Sequence, residues 1–311
     1  MLATRRPLLP FALLASAFLG SLSASLAIAQ STSDSTLKTV DKPAASPAPL
    51  TWQSDYRQAM RDAKEQGKLL LIWFVDPKQA AADAEFERSL ASDRTVCGRL
   101  DDFLIAKLPL NATVWEGGKT IEVLEHPAFA ELLKCPGLAV IDQRDPESPH
   151  FGRVVSVYPF NRGHIKLDRL AVLLDLPTGT LTQRTMIFAV RTHPLRPQSA
   201  WSETSDLLAS ETEKHARYQA SIRLQGHHRW DQRFHQINAR LPASLVANEV
   251  CAESWPGQPL VEAAEECVDC WRQSAGHWDH VVRRHALFGY DIKRGQNGIW
   301  YATGIFATPR Q

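Results

Sequence analysis

The segment Leu69-Leu70-Leu71-Ile72-Trp73-Phe74-Val75 constrains this chain most, because seven apolar residues run through it without a polar break. A continuous run of this kind marks a strand covered on both faces, and such strands occur where helices lie above and below a sheet. Its neighbours fit that demand. A helix is expected over Asp55 to Gln66, ended by Gly67, and another over Ala80 to Leu90. A second apolar run covers Phe103 to Leu110, and a helix is read around Pro127 to Leu133. Strands over Leu138 to Ile141 and Val154 to Tyr158, then a helix over Lys166 to Leu174, complete an α/β sandwich.

Before this segment the chain reads differently. Arg5 and Arg6, an apolar stretch from Pro10 to Ala29 and the close Ala27-Ile28-Ala29 have the order of a signal peptide over residues 1–29. Export to the periplasm or beyond the cell is therefore expected, with no integral membrane domain after cleavage. Residues 30–50, rich in Ser, Thr, Ala and Pro, cannot bury enough surface to offset their ordering entropy and read as a disordered linker. With 35 Lys and Arg against 34 Asp and Glu, the net charge is +1, which disfavours nucleic acid as a partner.

The order of elements over residues 51–176 resembles the thioredoxin fold. An amphipathic helix with Trp52, Tyr56 and Ala59 leads into Gly67-Lys68-Leu69-Leu70, and a helix carrying Phe86 follows the first strand. Pro136 stands before a strand, where that family has its cis-proline. The family's chemistry needs a Cys-x-x-Cys pair at a helix N-terminus, which lowers a thiol's pKa. Counted back from Phe86, that position is Asp76-Pro77-Lys78-Gln79, without a thiol. The resemblance thus implies a degenerate redox site of Asp76 and Gln79, with Cys135 beside it, and no dithiol oxidoreductase activity.

Residues 177–311 read as a second domain. Leu176-Pro177-Thr178-Gly179 signals a linker, followed by a strand-like Met186 to Val190. Eight of the eleven histidines fall between His193 and His285, and six of the nine tryptophans lie after Ala200. Leu207, Leu208, Glu211, His215, Tyr218 and Ile222 follow helical spacing, which puts His215 on the buried side as a hydrogen-bonded core histidine. That helix is read to end at Gly226. A further helix is expected from Pro259 to Ser274, so Cys267 and Cys270 sit inside it rather than at its N-terminus. A bridge from Cys251 to Cys267 or Cys270 is the expected use of sulfur in this half.

Trp271-Arg272-Gln273-Ser274-Ala275-Gly276-His277, followed by Asn297-Gly298-Ile299-Trp300-Tyr301-Ala302-Thr303-Gly304-Ile305-Phe306, resembles the closing half of a CAP domain. This is the superfamily of cysteine-rich secretory, antigen five and pathogenesis-related proteins, and the likeness covers about residues 184–309. It implies that His277 is the second cavity histidine and His227 the first, with His228 as alternate. It implies Glu253 as the carboxylate, from Ala252-Glu253-Ser254, with Glu249 second, and structural places for Trp271, Trp300 and Tyr301. Ser274 stands where the family often has another glutamate. The fold class expected is thus two-domain α/β and α+β, a thioredoxin-like α/β sandwich followed by a CAP-type α-β-α sandwich.

Two imidazoles and a carboxylate in one cleft have the chemistry of a divalent metal site such as zinc, through His227, His277 and Glu253. They also have that of a proton-transfer pair, or of a purely structural hydrogen-bonded cluster. Either functional use requires the two imidazole nitrogens within about 7 Å of each other. Trp255, Trp271, Trp278 and Trp300 are candidates to line a groove for a lipid or wall polymer, or else core residues. No Gly-x-Ser-x-Gly, His-Glu-x-x-His or phosphate-cradling loop is present. The expected function is an exported, non-redox binding or scaffold protein for a small ligand, lipid or cell-wall component. The alternative is a metal-assisted hydrolase using the same cleft.

Overall fold

The computed structural model describes residues 50–310. The signal peptide and all but the last residue of the linker read from the sequence lie outside the described residues. What is described is mixed α/β, built on two four-stranded sheets inside one compact unit.

The first lobe runs through α1 (Tyr56–Glu65), β1 (Leu69–Val75), α2 (Ala80–Ser92), α3 (Arg94–Leu100) and β2 (Phe103–Pro109). A small hairpin, β3 (Thr113–Glu116) and β4 (Lys119–Glu122), turns through Gly117 and Gly118 and was not foreseen. Then come a 3-10 segment (Pro127–Leu132), β5 (Gly137–Asp142), β6 (Val154–Pro159) and α4 (Leu167–Leu174). The sheet order is β2-β1-β5-β6, with β1 parallel to β2 and antiparallel to β5, and β5 antiparallel to β6.

The apolar run of β1 is explained by its place in this sheet. Leu69, Leu71 and Trp73 alternate onto one face, in the core that holds Phe86 and Leu90 of α2 and Val96 and Leu100 of α3. Leu70, Ile72 and Phe74 alternate onto the other, in the core that holds Ala59 and Ala63 of α1 with Phe129 and Leu132. Side chains of a strand alternate with period two, so both faces must be apolar when both are covered.

The second lobe comprises α5 (Leu181–Thr192), β7 (Glu203–Thr204), α6 (Asp206–Ile222), α7 (Trp230–Asn238), β8 (Leu245–Glu253), α8 (Leu260–Gln273), α9 (Ala275–Val282), β9 (Leu287–Arg294) and β10 (Trp300–Pro309). Its sheet order is β7-β9-β10-β8, so β8 is an edge strand. Val250 and Ala252 of β8 face the core shared with Leu260, Ala264 and Trp271 of α8. Leu208 of α6, Ile237 of α7, Ala247 of β8 and Ile305 of β10 form a separate core on the opposite face. Gly289 lets α6 lie against β9, since a Cβ there would stand 2.5 Å from the Leu208 carbonyl carbon.

Three expectations need correction. The strand-like Met186 to Val190 lies within α5. Every residue from Gln183 to Val190 is buried, because α5 packs on β6 of one sheet and on β9 and α8 of the other lobe. A helix covered all round has no polar stripe to show its period. Its start was nonetheless written in the sequence, as a capping box between Thr180 and Gln183. Pro136 is not cis; among the described residues every peptide is trans, and the chain enters β5 through two left-handed residues, Leu133 and Lys134. No disulfide forms, and all five cysteines are free. Cys251 shares its face of β8 with Ala247 and Glu249, whereas Cys267 is buried on α8 behind the opposite face, so the strand separates the two thiols.

The expected boundary at Leu176-Pro177 is a pinned turn. Arg184, fully buried on α5, donates through Nη1 to the carbonyls of Leu176 and Pro177 at 2.8 Å each, and through Nε to Ser156 Oγ at 2.8 Å. Burial, reinforced by Arg144, pulls the Arg184 pKa down to about 9. The guanidinium therefore joins β6, the turn and α5 in one seam.

Candidate functional site

The site is assembled around the edge strand β8. Glu249 and Cys251 stand two residues apart on that strand and so point the same way, toward α6 and α7. From α6 comes His215, buried on the face predicted by its spacing. α6 ends at Ile222 with Arg223 in the left-handed conformation, four residues before the expected Gly226, and the loop that follows carries His227. Gln219, buried on α6, fixes this loop: its Oε1 accepts from Gly226 N at 3.0 Å and its Nε2 donates to Thr303 Oγ1 at 2.9 Å. His277 arrives from the other side, on the first turn of α9.

The side chains converge closely. His227 Nδ1 lies 3.0 Å from Glu249 Oε1, and His227 Nε2 lies 3.3 Å from His277 Nε2. Cys251 Sγ is 3.8 Å from His227 Nδ1, and His215 Nε2 is 3.8 Å from Glu249 Oε1. Arg233, on α7, donates to the second oxygen of Glu249. The imidazoles of His227 and His277, 50 residues apart in sequence, thus meet well inside the distance that shared chemistry requires.

Electrostatics fixes the protonation pattern. Burial pushes the Glu249 carboxyl up, but hydrogen bonds from His227 and Arg233 outweigh it and the net pKa is lowered, so the carboxylate is ionised. An ionised carboxylate only accepts, so His227 Nδ1 carries the proton and its Nε2 lone pair faces His277. Burial, then the neighbouring His227 and His280, lowers the His277 pKa. Burial outweighs the nearby Glu249 at His215 and brings its pKa down to about 4, so this ring is neutral and donates to the Gly226 carbonyl at 2.9 Å. The Cys251 pKa is raised well above the usual thiol range by burial and then by Glu249.

His215, Glu249 and Cys251, all buried, offer ligand atoms within 4.8 Å of one another and have the donor set for a metal ion. Among the sequence candidates, His227 and His277 belong to this cluster. The carboxylate is Glu249, the second choice, and not Glu253. Glu253 shares the face but ends β8, exposed, and makes no hydrogen bond or ion pair with either imidazole. Strand rise explains the error, since four residues along a strand move a side chain about 13 Å. His228 also stands apart: its Nε2 contacts the Leu224 carbonyl at 3.2 Å and its ring lies edge-on to Tyr218. Arg233 and Gln219 were missed. Only Arg233, in the first helical turn after the two histidines, stood near a recognised motif.

Trp271, Trp300 and Tyr301 are core residues. Trp300 Nε1 donates to the Gln258 carbonyl at 2.9 Å, and Tyr301 Oη accepts from Asn297 at 2.9 Å. Trp255 is exposed and reaches Glu266, while Trp278 packs on His193, so the four tryptophans line no common groove. In the first lobe, Asp76 accepts from Lys78 N at 3.0 Å and caps the segment leading into α2, and Gln79 is exposed. The half-buried Cys135 donates its thiol to the Leu132 carbonyl at 3.0 Å, and burial raises its pKa.

No helix among the described residues is long and apolar enough to cross a membrane. No protein-family model matches the chain, and no curated protein matches it. Among solved structures, the chain is similar to an outer surface protein from Borrelia burgdorferi. The identity is 15% and the TM-score 0.29, over 35% of this chain and 78% of that one, a likeness too slight to carry an inference about fold or chemistry.

Proposed function

We propose that this is an exported two-lobe binding protein whose working site is the paired imidazoles of His227 and His277, which together hold a divalent metal of the zinc type. The observation that carries the reading is the 3.3 Å between the two Nε2 atoms. Tetrahedral zinc, with nitrogen ligands at about 2.0–2.1 Å, sets two such nitrogens about 3.3 Å apart. Glu249 then acts from behind, accepting from His227 Nδ1 and orienting the ring, as carboxylates do for zinc-bound histidines. Two protein ligands leave positions for water or for a small polar ligand, such as a carboxylate-bearing wall component.

In this reading the second lobe is a CAP-type α-β-α sandwich. Its support is the motif around Trp271 to His277 and a sheet covered by α6 on one face and by α5 and α8 on the other. The first lobe is a thioredoxin-like scaffold without redox chemistry. Its support is the sheet order β2-β1-β5-β6 with one parallel and two antiparallel pairings, and Asp76 and Gln79 at the lead into α2.

Binding is favoured over hydrolysis by the state of the one carboxylate in the cluster. Both Glu249 oxygens are engaged, one by His227 and one by Arg233, so neither is free to take a proton from an attacking water. Ser274, where a second carboxylate would stand in the family pattern, cannot replace it.

A zinc titration read through the nitrogen shifts of the histidine rings tests the site. Nε2 of His227 and of His277 should move together, and His277→Ala should weaken binding at these nitrogens at least tenfold, about 1.4 kcal/mol. An unmoved His277 Nε2 at saturating zinc would end the reading. Peptide, ester and wall-fragment substrates offered to the zinc-loaded protein should all stay intact; turnover abolished by His277→Ala would restore the hydrolase alternative.

A further inference from the structure

His227 presents its two ring nitrogens to two different sets of donors. Nε2 faces His277, across the half-exposed mouth of the site. Nδ1 faces inward, where Glu249 Oε1 lies at 3.0 Å and Cys251 Sγ at 3.8 Å, with His215 Nε2 3.8 Å beyond the same carboxylate oxygen. We infer that the buried part of this inner set, His215, Glu249 and Cys251, is a second metal site that takes a thiophilic divalent cation such as zinc.

The geometry is near what such an ion imposes. With Zn–N and Zn–O at about 2.0–2.2 Å and Zn–S at about 2.3 Å, tetrahedral coordination sets N···N and N···O pairs about 3.3 Å apart and N···S pairs about 3.6 Å apart. His215 Nε2 and Glu249 Oε1 stand 3.8 Å apart and the three ligand atoms all lie within 4.8 Å of one another, so the triad closes by up to about 1 Å on the ion. The donor types select the metal. A thiolate with one imidazole and one carboxylate suits zinc, whereas magnesium and calcium take oxygen ligands.

Charge balance also fits. The thiolate and the carboxylate neutralise the dication, and the thiol proton leaves to solvent when the sulfur binds. Arg233 holds the other Glu249 oxygen and so orients the ligating one, the part an outer-shell donor plays. Ligation by His215 Nε2 moves that ring's proton to Nδ1 and gives up the bond to the Gly226 carbonyl. His227 Nδ1 keeps its proton, donated to Glu249 Oε1, and its Nε2 stays free for the outer pair, so the inner site does not need His277. The inference therefore stands apart from the reading of the outer pair.

Cobalt(II) is the probe, because a thiolate ligand gives it an intense near-ultraviolet charge-transfer band that imidazole and carboxylate do not. The full chain loaded with cobalt should show that band and lose it on adding excess zinc. His277→Ala should keep it and Cys251→Ser should remove it. A chain in which Cys97, Cys135, Cys267 and Cys270 are all serine should also keep it, which assigns the sulfur even if Cys251→Ser fails to fold. Absence of the band in the unaltered chain, or its survival in Cys251→Ser, would overturn the inner site. Loss of His277 Nε2 shifts with the band intact would instead overturn the outer site alone.

Discussion

The lead into α2 and the edge strand β8 both bring polar side chains to a surface, and they are built differently. At the first, Asp76 caps the chain, Gln79 is exposed, and Cys135 spends its thiol on a local carbonyl. Beneath it the apolar layer of Trp73 and Phe86 remains close-packed, with the rings 5.3 Å apart and edge to face. At the second, polar side chains from α6, the loop after it, α7, β8 and α9 meet around one buried carboxylate. An apolar layer of this kind needs no surface polar group to hold it, because its stability comes from burial. A buried charge cluster has no such independence, since each member satisfies another.

Breaking the apolar layer of the first lobe should have the largest effect. Trp73→Ala removes a fully buried ring between Trp52 and Phe86 and should cost about 3–5 kcal/mol in urea unfolding, without changing zinc binding at the histidines. Glu249→Ala should cost a similar amount, about 3–5 kcal/mol, because the half-buried Arg233 is left without its countercharge and His227 Nδ1 without its acceptor. Unlike Trp73→Ala, it should also weaken zinc binding at the histidines by about 10- to 100-fold. Equal effects of the two variants on metal affinity would erase the distinction between the lobes.

Acid should separate them next. In the metal-free protein the folded pKa of His215, about 4, lies below the unfolded value of 6.5. The native state thus holds the neutral ring; the stability tied to it is complete above pH 6.5 and is lost as pH falls toward 4. The loss amounts to about 3 kcal/mol at no more than about 1.4 kcal/mol per pH unit. His215→Gln should flatten that part of the stability profile, and an unchanged slope would mean another group carries it. The smallest effect is expected at the first lobe's surface. Asp76→Ala should cost about 1 kcal/mol, the worth of an exposed cap, and leave metal binding untouched.

Much of the scaffold was legible because its signals are local. The run Leu69 to Val75 returned as β1 with the same bounds, and Asp55 as the cap of α1. The expected helix from Pro259 to Ser274 returned as α8. Legibility failed at α5, where burial from all sides removed the polar stripe that reveals a helix, and only the Thr180–Gln183 capping box gave it away. It failed also at Glu253. Glu249 and Glu253 are equivalent in strand phase, so periodicity cannot choose between them, and the choice is made by the depth of each along β8.

From its residues alone, this chain determined most helices and strands of its first lobe, the buried position of His215 on α6, the helix α8, and that His227 follows a helix end. Those are short-range properties, set by turn residues, caps and apolar period. The three-dimensional arrangement alone decided that the two imidazoles meet at 3.3 Å, that Glu249 is their carboxylate, and that Cys251 turns toward them rather than toward Cys267. The reason is that convergence around an edge strand depends on how α6, α7 and α9 dock against the sheet. That docking is fixed by close approaches such as α6 over Gly289, which no sequence window contains.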